Sequence, residues 1–129
     1  FLHIADATAG RLTADSMTRV GLMGTRITME QAFYRDRLAG HGIEVVVPGP
    51  ADRDIVDRII FDELCRGIVT DQSRGDYVRV ASGLADAGVE AIVAGCTEIG
   101  MLLTQANVPV ALVDTTQVHA QAAVDKAFH

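Results

Sequence analysis

Ala91-Ile92-Val93-Ala94 is a run with no polar residue to turn toward water on either side. A strand of that kind is buried on both faces, and strands buried on both faces belong to parallel sheets covered by helices. Gly95 follows and allows a tight backbone turn. Cys96 then stands at the strand's carboxyl end, with Thr97-Glu98 opening a helix. Unpaired N–H groups and the positive end of a helix dipole at such a place favour a thiolate. The same position also suits a cysteine that is only a small buried hydrophobe.

The rest of the chain repeats this alternation. A helix is predicted over residues 3–17, with Ile4, Ala7, Thr8 and Leu12 on a thin apolar face. A strand over 18–25 ends in Gly24-Thr25. Thr28 reads as the N-cap of a helix over 29–39 with Phe33, Tyr34 and Leu38 inward. A β-branched strand over 43–47 is broken by Pro48-Gly49-Pro50, and a helix over 52–66 carries Ile55, Val56, Ile59, Ile60 and Leu64. Residues 71–75 read as a polar loop before a helix to Ala87 with Tyr77, Val80, Ala81 and Leu84 inward. A short helix over 98–105, a strand over 110–113 and a last helix from Asp114 to Phe128 complete the order. The expectation is a doubly wound α/β fold: a four-stranded parallel sheet with helices on both faces. It is one domain over 1–129, with a first helix over 1–17, a core over 18–113 and a last helix over 114–129.

Several functions are argued against. The net charge is −6 with no basic run, which disfavours nucleic acid and anionic membrane surfaces as partners. No run approaches about 18 apolar residues, and the first residues lack a charged leader pattern. The two cysteines, Cys65 and Cys96, form neither a disulfide framework nor a metal pattern, so a reduced, cytoplasmic setting and no metal are expected. No glycine-rich nucleotide fingerprint is present, so no cofactor of that kind is expected.

In a parallel sheet, ligands gather at the carboxyl ends of the strands. The residues waiting there are Gly24-Thr25, Pro48, Cys96-Thr97 and Asp114-Thr115-Thr116. A thiolate among hydroxyl and amide donors can attack an electrophile or move a proton at carbon. Glu98 can orient or relay to the thiol, or be a first-turn acid favoured by the helix dipole. Thr25 and Thr28 can hold a carboxylate, or Thr28 can simply cap. Asp114 and His119 can pair across a helix turn, or be an N-cap and a surface residue. Cys65 reads as a packing residue near a helix end.

Four segments in order, Gly21 to Met29, Ile43 to Pro48, Gly95-Cys96-Thr97-Glu98-Ile99, and Asp114-Thr115-Thr116 with His119-Ala120, resemble the aspartate/glutamate racemase family, closest to its aspartate racemase-type and broad-specificity members. The resemblance implies two similar α/β lobes around one site and a cofactor-independent reaction. In it, one thiolate removes the α-proton of an amino acid and a second thiol returns a proton from the other face. It makes Cys96 the second of those cysteines. It gives Thr97 and the Gly-Thr loop at Thr25 to the substrate carboxylate. Glu98 stands where the glutamate-specific branch has His, which points to the aspartate-type branch. The family's first cysteine sits in a Cys-Asn-Thr motif that this chain lacks, so the chain is expected to be a carboxyl-terminal portion, inactive alone. A Lys that some aspartate racemases place near 63–67 is here replaced by Cys65-Arg66, which nominates Arg66 for the substrate's second carboxylate. Its partners are then a small amino-acid substrate and, through apolar surface on the first and last helices, a second copy in a homodimer. The rival readings are a one-cysteine decarboxylase or isomerase of a dicarboxylic acid, and a non-catalytic α/β interaction domain.

Overall fold

A computed structural model describes residues 4–127. His3 and Phe128, assigned above to the first and last helices, lie outside the described residues, as does the side chain of Ile4. Four parallel strands, β1 (Arg19–Met23), β2 (Glu44–Val46), β3 (Ala91–Ala94) and β4 (Ala111–Asp114), form one sheet in the order β2-β1-β3-β4. Strand alternation divides the core in two. Val20, Leu22, Ala91 and Val93 face one cluster, with helices α1 (Ile4–Ala14), α3 (Ala32–Ala39) and α6 (Thr115–Ala127) supplying Leu12, Leu38 and Val118. Met23, Ile92 and Ala94 face the other, where α4 (Pro50–Asp62) and α5 (Asp71–Asp86) supply Val56, Ile59, Tyr77 and Leu84. Helices therefore cover both faces of the sheet, as the buried β3 run requires.

Gly21, in the middle of β1, is dictated by packing. A Cβ there would lie 3.0 Å from both Leu84 Cδ1 and Ile92 Cδ1, so α5 rests directly on the bare backbone of β1. At the outer edge, Gln105 closes the ladder of β4 with its side chain. Its amide donates to the Val110 carbonyl at 2.7 Å and accepts from Leu112 N at 2.8 Å.

Several boundaries differ from the sequence reading. The helix expected over 29–39 is two, α2 (Arg26–Glu30) and α3, broken at Gln31 in extended backbone. The break turns Phe33 outward, 55% exposed, while Tyr34 and Leu38 remain buried. Thr28 is not the cap: Thr25 is, accepting from Thr28 N. Helix α4 begins at Pro50 and stops at Asp62, and Leu64–Arg66 form a 3₁₀ turn closed by Gly67 at φ 75°. The polar stretch 71–75 is the first turn of α5, because Thr70 caps it by accepting from Ser73 N at 3.0 Å. The helix expected over 98–105 is two 3₁₀ turns, Thr97–Met101 and Gln105–Asn107. The first and last helices pack on one another, α1 against α6, with Ala5, Leu12 and Val118 buried, while Val124 of α6 stays 50% exposed. No helix among the described residues is long and apolar enough to cross a membrane.

Candidate functional site

The strand order places the site. Chain growth runs from β1 to β2 on one side, then returns to lay β3 and β4 on the other. The crevice of such a sheet opens between the two strands where the order reverses, at their carboxyl ends. Those strands are β1 and β3, and the loops leaving them carry Gly24-Thr25 and Gly95-Cys96. The loops touch: Gly95 N donates to the Met23 carbonyl at 2.8 Å. A Cβ on Gly95 would lie 3.2 Å from the Thr28 methyl, and one on Gly24 3.4 Å from the same atom. Two glycines thus let the threonine turn close on the cysteine turn.

Within the threonine turn most donors already have partners. Thr25 Oγ1 and Thr28 Oγ1 share a hydrogen bond of 3.0 Å, and Thr28 N reaches Thr25 Oγ1 at 3.3 Å. Arg26 N donates to Asp57 Oδ1 at 2.7 Å, and the Arg26 guanidinium pairs with Asp54. Helix α4 therefore supplies the anion at the mouth of α2, and what the turn offers an incoming molecule is its pair of half-buried hydroxyls.

Cys96 is half-buried, and its Sγ donates to Glu98 Oε2 at 2.8 Å. Burial, and then this hydrogen bond to an anion, push the thiol up to about 11. The Glu98 N–H pulls the other way and is outweighed. The thiolate expected at this turn is thus disfavoured, because a five-residue 3₁₀ turn offers too little dipole to offset desolvation and a carboxylate. Glu98 shifts in the opposite sense: the thiol's hydrogen bond, its own backbone N–H and the Thr97 hydroxyl hold it below the usual carboxylate range. At neutral pH the pair is a thiol beside a carboxylate.

The turn Leu64–Arg66 packs against Thr97–Met101, which brings Cys65 and Arg66 alongside the cysteine segment. Cys65 is exposed, not packed as expected, and its nearness adds to the upward shift of Cys96. The Arg66 guanidinium makes no ion pair among the described residues. Tyr77, read from the sequence as core, belongs to the core cluster against which Cys96 packs and donates to the Val56 carbonyl at 2.8 Å. Burial, then the field of Cys96, raise its pKa. Asp114 ends β4 opposite Ala94 and caps α6 by accepting from Gln117 N at 3.0 Å, so it does not pair with His119. His119 Nδ1 is enclosed without a partner among the described residues. Cavities of about 310 and 330 Å³ lie along α1 and α6, lined by Arg11, Val118 and Gln121, and Cys96 lines neither. No group of three metal-ligating side chains occurs among the described residues.

A family model described as Asp/Glu/hydantoin racemase matches residues 1–123. An uncharacterized protein in the pnlA 3′ region of Pectobacterium carotovorum subsp. carotovorum is 33% identical over 104 residues, 81% of this chain and 68% of that protein. Among solved structures, a candidate Asp/Glu racemase from Yersinia pestis superposes with a TM-score of 0.97 at 50% identity, over 99% of this chain and 56% of that one. An aspartate racemase homologue from Pyrococcus horikoshii OT3 gives 0.91 at 31% identity, over 99% and 56%. A Picrophilus torridus aspartate racemase at 22% identity shares the fold, with a TM-score of 0.75 over 98% and 52%. The chain spans about half the length of these solved relatives.

Proposed function

Because the chain belongs to the Asp/Glu/hydantoin racemase family, we propose that it supplies one of two thiols for cofactor-independent racemisation of an acidic amino acid, aspartate or glutamate. The observation that carries this reading is the 2.8 Å contact of Cys96 Sγ with Glu98, set at the point of the sheet where a ligand crevice opens. A thiol held protonated by burial and a neighbouring anion is a proton donor in its resting state. The step it suits is protonation of an α-carbanion: the S–H bond breaks, a C–H bond forms on the face turned toward Cys96, and the sulfur keeps the electron pair as thiolate. The α-proton that made the carbanion leaves from the opposite face to the other thiolate, which lies outside this chain. In the reverse direction Cys96 is the acceptor.

Burial and, after it, Glu98 keep the resting thiol protonated, and Glu98 takes no part in bonding to carbon. In this reading Thr25, Thr28 and Thr97 take the α-carboxylate and Arg66 the second carboxylate; the contact of the Thr25–Thr28 turn with the Gly95 loop and of the Leu64–Arg66 turn with the Thr97–Met101 turn supports that assignment. The chain covers only 56% of the longer family members, which supports a second lobe that completes the site; a single thiol can exchange the α-proton on one face only, so the chain alone should invert nothing. The test is aspartate or glutamate in D2O with this chain and with the full-length gene product. Deuterium incorporation with optical inversion is expected only where a second lobe is present and is lost in Cys96→Ala. Inversion by the 129-residue chain alone would overturn the two-thiol reading.

A further inference from the structure

The turn that carries Cys65 and Arg66 is tied down through Glu63. The Glu63 carbonyl accepts from Arg66 N and Ile68 N, each at 2.9 Å. Its side chain is one-fifth exposed, and Oε1 accepts from Ser73 Oγ at 2.6 Å and from Thr70 Oγ1 at 3.5 Å. Ser73 is 4% exposed. Thr70 and Ser73 are the cap and first turn of α5, so the carboxylate joins the end of α4 to the start of α5. Arg58 stands 3.9 Å from Oε2 on the outer side. Leu64, the next residue, enters the core cluster of Tyr77 and Ile99 against which Cys96 packs. The side chains of Cys65 and Arg66 make no hydrogen bond or ion pair of their own among the described residues. Their position is therefore set by the backbone beneath them, and that backbone is held by Glu63.

Resting on the reading of Arg66 as the group for the substrate's second carboxylate, we propose that Glu63 is a positioning residue: it fixes the Leu64–Arg66 turn to the first turn of α5 and so holds Arg66 in register with Cys96. The chemistry asks only for an acceptor, since Ser73 donates a neutral hydroxyl. Glutamine can supply that acceptor and alanine cannot.

The experiment uses the full-length gene product, with Glu63→Ala, Glu63→Gln, Arg66→Ala and the Glu63→Ala/Arg66→Ala pair. It reads KM and kcat for aspartate, and amide hydrogen exchange over residues 64–68. Glu63→Ala should raise KM about tenfold at nearly constant kcat and speed exchange of the Arg66 and Ile68 amides about tenfold, as loss of the part-buried hydrogen bonds from Ser73 and Thr70 allows. Glu63→Gln should restore both, and Glu63→Ala should add little to Arg66→Ala. Unchanged exchange in Glu63→Ala overturns the tether. An equal rise in KM with and without Arg66 overturns its action through Arg66. An unchanged KM in Arg66→Ala overturns the substrate role of Arg66, and with it the purpose of the tether, whatever exchange shows. Should Glu63→Ala not fold, Ser73→Ala removes the same hydrogen bond from the other side and carries the same expectations.

Discussion

Replacing Glu98 by Gln should make Cys96 more reactive, and the size of the effect follows from the site. With the thiol at about 11, roughly one Cys96 in a thousand is ionised at pH 8, against about one in four for a free cysteine near 8.5. The scarcer thiolate is the better nucleophile, by roughly 10- to 20-fold over that interval when it attacks a disulfide. The two effects leave Cys96 about 10 to 25 times slower than a free thiol toward an aromatic disulfide reagent at pH 8. Partial burial slows it further. The assay is stopped-flow release of the reagent's chromophore in a Cys65→Ser background, so that Cys96 alone reports. The rate should climb about tenfold per pH unit up to pH 10 without levelling. In Glu98→Gln the anion is gone while burial, the larger cause, remains. The profile should move to lower pH yet still level above the ordinary range near 8.5. A wild-type profile that levels below pH 9, or one that Glu98→Gln leaves in place, would refute the account of the site as a thiol held by its carboxylate.

Other perturbations are equally direct. Gly21→Ala should cost about 1–2 kcal/mol of stability, read as a lower urea midpoint at an unchanged slope, because the new methyl meets Leu84 and Ile92; no loss would mean those side chains can slide aside. Thr25→Ala removes the cap of α2 and the partner of Thr28 Oγ1, for about 1 kcal/mol in thermal or urea unfolding, and Thr25→Ser should recover most of it. Glu90 Oε1 accepts from Thr18 N at 2.9 Å and Arg19 N at 3.1 Å, and these bonds hold its pKa down. Stability from a depressed carboxylate is present above its unfolded value, near 4.3, and is lost as pH falls through the lower folded value. The Tm gap between wild type and Glu90→Ala should therefore be open at pH 7 and close toward pH 3; a gap independent of pH would assign the loss to packing.

Much of the fold could be read from the residues because burial on both faces leaves few choices. Ala91–Ala94 is the strand predicted, residue for residue, and Gly88 ends α5 with φ at 92° as a glycine past a helix should. The misreadings fall where tertiary partners decide between local options. Thr25 and Thr28 are both good caps, and Asp57, reaching Arg26 N from α4, settles the choice. The stretch 71–75 looks like a loop by composition, and Thr70 with the Glu63 carboxylate makes it helix. The cysteine's place at the strand end followed from pattern alone. Its protonation did not, because that depends on the depth of burial and on a carboxylate two residues on, whose rotamer no periodicity reveals.

The amide of Gln105 has one more consequence. By holding both a carbonyl and an N–H of the outermost strand, it stands in for the peptide of a fifth strand that is not there. Another chain laid along that rim would first have to displace it. Aggregation by ladder extension is thereby discouraged on that side.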